Sequence, residues 1–320
     1  MPKKQPHDVN PTNNPEIISI LNEVNQAYQL RQELLKQWSK ANEDRNVITY
    51  FSSFVHPAAM IDDRDRDTIE GILQKMDNSK GLDLIVNSPG GRPLAAERII
   101  NVCRTYSKGF RVVVPKLAKS AATMIAFGAD AILLGESSEL GPVDPQITYI
   151  DQTGKPVVRS AYSLIKGVEE ILTRINQVGS DKRVEGLLSL LPPIDQPFLE
   201  ECKIAQELSK DIAIRYLKMT TFKDLPENDK DKKEGDTQTI EQKIVKFLNP
   251  EETFSHGRPI MYKEARSIGL NVELLKKEDS RWNLLLQIYA RSDFVVSNSL
   301  IIKLIESPLY SFSASVAQQN

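Results

Sequence analysis

The chain has 320 residues, of which 40% are hydrophobic and 26% charged, a composition that excludes disordered and fibrous classes and suits one large globular domain or two small ones. Its 41 Lys and Arg against 43 Asp and Glu leave a net charge of -2, so no global field favours nucleic acid or anionic lipid, and neither is expected as a partner. Its two cysteines, Cys103 and Cys202, lack CxxC spacing, which argues against a disulfide framework or a thiolate zinc site and for a reducing compartment.

The first fifteen residues carry charge but no apolar h-region. No run reaches the roughly 18 uncharged apolar residues of a membrane span, so a cytoplasmic protein without such a span is expected. After this polar arm, Asn14 and Pro15 signal a helix start, and Ile17, Leu21, Val24, Tyr28, Leu35 and Trp38 recur at spacings of three, four or seven. That spacing predicts an amphipathic helix, interrupted at Arg31, which packs either on its own domain or on another subunit.

From Val47 the period changes. VITYFSSFV reads as a strand, IDDRDRDTIEGILQKM as a helix, LDLIVN as a buried strand, PLAAERIINVCRTY as a helix and FRVVVP as a strand. A small-residue helix, SAATMIAFGAD, and the strand AILLG follow. Such alternation implies parallel pairing through helical crossovers, hence α/β architecture. Beyond Pro145 the chain reads as more helical, with SLIKGVEEILTRI and FLEECKIAQELSKDIAIRYLKM as the clearest segments. Residues 223–236 hold ten charges in fourteen positions and read as a solvated linker. The C-terminal region, containing WNLLLQIYARS and SLIIKLIES, is expected to be helical, with a frayed end.

Chemistry concentrates in four places. Asn87-Ser88-Pro89-Gly90-Gly91 follows an apolar strand; two adjacent glycines there either cap a tight turn or let bare backbone N–H groups hold a phosphate or an oxyanion. Ser120 opens a helix, where it is either an N-cap or a nucleophile favoured by the helix's partial positive charge. Asp144 stands between Pro142 and Pro145, which suits either an Asx-Pro turn or a carboxylate that orients an imidazole. Of the three histidines, His7 lies in the polar arm and His56 precedes Pro57, so His256 in FSHGRP is the best general-base candidate.

The order VNSPGG, KSAATMIAFGAD, ELGPVDPQ and SHGRPI with EARSIGL resembles the serine dehydrogenase proteinase family, relatives of the Clp-type proteolytic subunit and of signal peptide peptidases. The likeness covers roughly residues 47–150 well and 250–275 moderately. It implies a Clp/crotonase-like fold of repeated β-β-α units, with an N-terminal helix and additional helices. It also implies Ser120 as nucleophile, Asp144 as orienting carboxylate and His256 as base, with Gly91 and Ala121 N–H groups forming an oxyanion hole that Gly90 shapes. Clp-type subunits run Ser, His, Asp, so the two supporting residues look exchanged here. The chain departs from the family in having Ser120-Ala121-Ala122 for Ser-Gly-Gly and His256-Gly257 for His-Asp.

The expected activity is that of a serine peptidase acting on a peptide or protein substrate as a homo-oligomer, with no metal or cofactor. Expected boundaries are 1–46 for the arm and amphipathic helix, 47–290 for the protease domain and 291–320 for a C-terminal helix and tail. Three alternatives stay open: a Ser-Lys dyad with Lys166 as base, a crotonase-like acyl-CoA enzyme, and an inactive oligomeric scaffold.

Overall fold

A computed structural model of the chain describes residues 28–151, 153–178, 183–188, 195–223, 240–248 and 258–316. Helix α1 (Gln29–Ala41) leads into β1 (Asn46–Ser52), α2 (Asp63–Leu73), β2 (Leu82–Asn87), α3 (Pro93–Thr105) and β3 (Phe110–Val114). Then come the two-residue β4 (Leu117–Ala118), α4 (Ala121–Phe127), β5 (Ala131–Gly135) and the short β6 (Glu139–Leu140). All the strands and helices expected between 47 and 135 are therefore present. Next are the hairpin β7 (Gln146–Ile150) and β8 (Pro156–Ser160), the long helices α5 (Ala161–Val178) and α6 (Gln196–Met219), then β9 (Ile260–Met261), α7 (Tyr262–Ile268) and β10 (Val272–Leu275). Helix α8 (Ser280–Asn298), β11 (Ile301–Glu306) and β12 (Ser311–Ser315) complete the described chain.

The main sheet runs β10-β5-β3-β2-β1-β11-β12. Its first five strands are parallel, whereas β11 and β12 add antiparallel at the far edge. Side chains alternate across it with the period of two that a pleat imposes. Ile48, Tyr50, Leu82, Leu84, Val112, Val114, Ile132 and Leu134 face one core; Val47, Phe51, Ile85, Val113 and Leu133 face the other. The first core is closed by α2, α3, α4 and the C-terminal half of α6, the second by α1 and α8. Each large aliphatic side chain buried this way contributes about 1.5–3 kcal/mol.

Local sequence explains the element ends. Asp62 and Asp65 form a reciprocal capping box at the start of α2, Pro93 occupies the first turn of α3, and α7 stops at Gly269 with φ of 98°. In α1, Leu34, Leu35 and Trp38 are buried in the chain's own second core, which favours intramolecular packing for residues 29–41. Arg31, the interruption in the stripe, pairs with buried Glu306. Ile17, Leu21 and Val24 lie outside the described residues, as do 224–236 of the charged linker.

Two expectations are corrected. SLIIKLIES, read as helical, forms β11, whose Thr49↔Glu306 to Ser52↔Lys303 register joins it to β1. A short apolar run has no periodicity of its own to separate strand from helix, and an open antiparallel edge decided it. The end after it, expected to be frayed, pairs antiparallel with β11 over Ser311–Ser315 as β12, because the open edge of β11 supplies the backbone partners that an isolated tail lacks.

A second, smaller sheet gathers at the carboxyl ends of the main strands. β4, just after β3, pairs in parallel with β6, just after β5, and β6 pairs antiparallel with β9. Ser88, just after β2, bridges Ala118, and Ile61 bridges Gly91. The glycine turn, Ser120 and the run to Asp144 all leave from this sheet. Among the described residues no helix is long and apolar enough to cross a membrane.

Candidate active site

Ser120 joins β4 to α4 with φ of 51° and ψ of -118°. Among the described residues only Glu43 and Asp44, in the turn between α1 and β1, share a positive φ without being glycine. Such a backbone costs about 1–3 kcal/mol and persists where its surroundings over-determine it. Here they do, because every residue of α4 from Ala121 to Phe127 is buried. An N-cap serine would repay the strain by bonding the first turn, but Ser120 makes no side-chain cap bond. The capping explanation available from sequence therefore fails. Lys119 is turned away, its Nζ donating to Glu139 Oε2 at 2.8 Å and to the Leu140 carbonyl at 3.3 Å.

The glycine turn lies directly on this serine. Gly90 has φ of 104°, and a Cβ there would sit 2.5 Å from the Lys119 carbonyl oxygen, 2.7 Å from Ser120 Cβ and 3.0 Å from the Ala121 nitrogen. At Gly91 a Cβ would fall 2.2 Å from the Ile61 nitrogen. Both glycines are thus required by close approach, Gly90 also by its backbone. Ser88 Oγ accepts from the Gly90 N–H at 3.1 Å and from Ser52 Oγ at 2.8 Å, so its hydroxyl serves the turn. Ile61 donates to the Gly90 carbonyl at 2.8 Å and accepts from the Arg92 N–H at 2.9 Å. The N–H groups of Gly91 and Ala121 donate to no acceptor among the described residues.

Asp144 is buried, with 1% of its surface exposed, and Gln146 Nε2 donates to its Oδ2 at 3.2 Å. Its segment runs alongside the serine turn. Gly141 passes so close that a Cβ would lie 3.3 Å from Lys119 Cα, and its N–H donates to Thr123 Oγ1 at 3.0 Å. Thr123 Oγ1 in turn donates to the Ala118 carbonyl at 2.7 Å. This one hydroxyl ties together β4, α4 and the run to Asp144, a role that nothing in the local sequence signals. On the other side, Val143 N–H donates to the Phe247 carbonyl and Ala161 N–H to that of Pro145, both at 2.8 Å.

His256 and His7 lie outside the described residues. His56 has a local role: its Nδ1 accepts from the Ala58 N–H at 3.1 Å and caps the Pro57–Ala59 turn. Lys166 stands on α5, with Nζ 5.8 Å from the centre of the Tyr162 ring.

Sheet and helices together make a parallel-rich mixed α/β protein. Residues 41–182 match the family described as ClpP-like SDH-type serine proteinase, so this part of the chain is similar to that family. The span holds Gly90, Gly91, Ser120, Ala121, Asp144 and Lys166, and ends before His256. Two uncharacterized proteins of Methanocaldococcus jannaschii are similar. One is 29% identical over 209 residues, 65% of this chain and 59% of the relative. The other is 39% identical over 66 residues, 21% of this chain and 23% of the relative.

Proposed function

We propose that the protein is a serine peptidase in which Ser120 is the nucleophile, His256 the general base and Asp144 the carboxylate that orients it. The observation that carries this reading is Ser120 itself, strained and uncapped at a helix N-terminus, beside two N–H groups with no acceptor among the described residues. Ser120 Oγ attacks the substrate carbonyl carbon as its proton passes to His256; the carbonyl oxygen becomes an oxyanion held by the Gly91 and Ala121 N–H groups. Collapse breaks the C–N bond, His256 returns the proton to the leaving amine, and water hydrolyses the acyl-enzyme by the same steps.

Chain reach supports His256. Leu140 pairs with Ile260; Asp144 stands four residues after the first and His256 four before the second. Four residues span at most about 14 Å, and in an antiparallel pairing residues equally far beyond the paired position run in the same direction, which is the relation of Asp144 to His256 by number. Phe247, bonded to Val143, anchors the same stretch from its other end.

The order β3, β4, α4, then β5, β6, supports a Clp/crotonase-like fold of repeated β-β-α units within a protease domain over 47–290. Ile150, Val158, Leu172, Leu188 and Ile204 are exposed on β7, β8 and the helices after them, which supports a homo-oligomer. Light scattering should then give a mass above 36.0 kDa, and a monomer across micromolar concentrations would exclude it.

A fluorophosphonate probe tests the chemistry. The wild-type chain should be labelled, Ser120→Ala should abolish labelling with little change in thermal midpoint, and Ser88→Ala should retain it. Undiminished labelling in Ser120→Ala excludes the nucleophile. A wild-type chain that takes no probe points to the inactive scaffold or the crotonase-like enzyme.

A further inference from the structure

Lys303 is the unusual residue of β11, only 5% exposed, where an ammonium group is tolerated only with partners. Its Nζ donates to Asp62 Oδ2 at 3.0 Å, to Asp65 Oδ1 at 3.1 Å and to Asp65 Oδ2 at 2.9 Å. Asp65 Oδ2 also accepts from the Tyr50 hydroxyl at 2.9 Å and from the Asp62 N–H at 2.8 Å. Burial by itself would raise the Asp62 carboxyl, but the hydrogen bond and charge of Lys303 outweigh it and hold this carboxyl below its ordinary value.

The capping box at α2 needs no lysine. Two carboxylates at a helix N-terminus in water stabilise themselves through the free N–H groups and the helix dipole. What calls for a cation is the burial of Asp65, 3% exposed, and the cation arrives from a strand 238 residues further along the chain. One peptide unit before the pinned Asp62 is Ile61. That residue holds the glycine turn on both sides of Gly91, bonding the Gly90 carbonyl through its N–H and the Arg92 N–H through its carbonyl.

We propose that Lys303 is a positioning residue for the oxyanion hole: through Asp62 and Asp65 it fixes Ile61, and through Ile61 it fixes the direction of the Gly91 N–H. The assignment of Gly91 to an oxyanion hole rests on the peptidase reading above, whereas the mechanical link from Lys303 to Gly91 does not. The link also gives the C-terminal hairpin a part in the site, because β11 carries Lys303 into the sheet beside Ser52.

The test uses three full-length variants. Lys303→Met removes the cation, Lys303→Met/Asp65→Asn removes both buried charges so that the fold survives, and Lys303→Arg keeps a cation on the two carboxylates. Amide hydrogen exchange is read at Ile61 and Arg92, with Leu133 and Leu274 across the sheet as controls. Loss of the link should speed exchange at Ile61 and Arg92 by about tenfold or more in the double variant while the controls hold. Fluorophosphonate labelling should slow by about tenfold to a hundredfold, since outright loss of an oxyanion donor costs about 10²–10³. The half-saturating probe concentration should move by less than about twofold, as expected when only transition-state contacts are weakened. Lys303→Arg should recover most of both. Wild-type exchange at Ile61 and Arg92 in the folded double variant overturns the proposal. A wild-type chain that takes no probe would count against the peptidase reading, and exchange would still decide the role of Lys303.

Discussion

Asp83 and Ser120 both carry polar atoms into the fold, on opposite sides of the main sheet, and their surroundings differ in kind. Under α1, Asp83 is fully buried and accepts from Trp38 Nε1 at 3.0 Å, Arg45 Nε at 2.6 Å, Arg111 Nε at 2.8 Å and Arg111 Nη2 at 2.7 Å. Glu306 on the same side takes both arms of Arg31, at 2.7 and 2.8 Å, and the Ser311 hydroxyl at 2.7 Å. At the carboxyl edge of the sheet, Ser120 sits in a strained backbone without a capping bond, and the N–H groups of Gly91 and Ala121 are unused among the described residues. A buried polar group that is saturated holds a fold together; one that is left open at a cost in strain has capacity for something outside the chain.

The largest effect should come from the open side. His256→Ala should lower turnover by about 10³–10⁶-fold and Asp144→Asn by somewhat less, with folding retained, as in other triads. Lys166→Ala should be nearly silent; an inactive Lys166→Ala beside an active His256→Ala would put the Ser-Lys dyad in place of the triad. On the saturated side the prediction reverses. Asp83→Asn removes the charge shared by two guanidinium groups and should cost about 3 kcal/mol in urea unfolding, while the labelling rate per folded molecule stays at the wild-type value. A slowed label would show that the two sides are not independent.

Thr123→Val probes the seam within the open side, between the serine turn and the Asp144 segment. It keeps the shape and removes a hydroxyl that both donates and accepts within the core, so stability should fall by about 1–3 kcal/mol. Because the lost bonds tie the Asp144 segment to the serine turn, labelling should slow as well, which sets this variant apart from Asp83→Asn.

The smallest effect concerns pH. Burial, and then the neighbouring Asp293, push the Tyr289 phenol from 10.0 up to about 12. The folded state therefore keeps a proton that the unfolded state releases first. This stability is fully present below pH 10.0 and is lost as pH rises toward about 12. Urea midpoints measured across that window should fall, and Tyr289→Phe should flatten part of the fall; the buried Tyr50, shifted in the same direction, should contribute to the remainder.

Much of this was legible in residue order. The parallel strands from Val47 to Gly135 announce themselves by apolar runs separated by helical periods, and the pleat then sorts Val112 and Val113 to opposite cores without further information. The hairpin β7–β8 was not, since the chain beyond Pro145 reads as more helical: its two strands are five residues each and largely exposed, so they lack the apolar run that marks the strands of the main sheet. That SPGG is a turn, and that Ser120 opens a helix, follows from glycine and serine chemistry alone.

What the sequence determined by itself is thus the α/β class, the positions of the serine, glycine and aspartate motifs, and the likeness to a family, because each rests on neighbours within a few residues. Only the tertiary structure decided that Ser120 does not cap its helix, that SLIIKLIES is a strand, that Thr123 spans 18 residues to Gly141, and that Lys303 neutralises carboxylates at the other end of the chain. Those outcomes depend on which chain segments are brought together and on which buried charges then need a partner, a matter of packing and desolvation that no local pattern encodes.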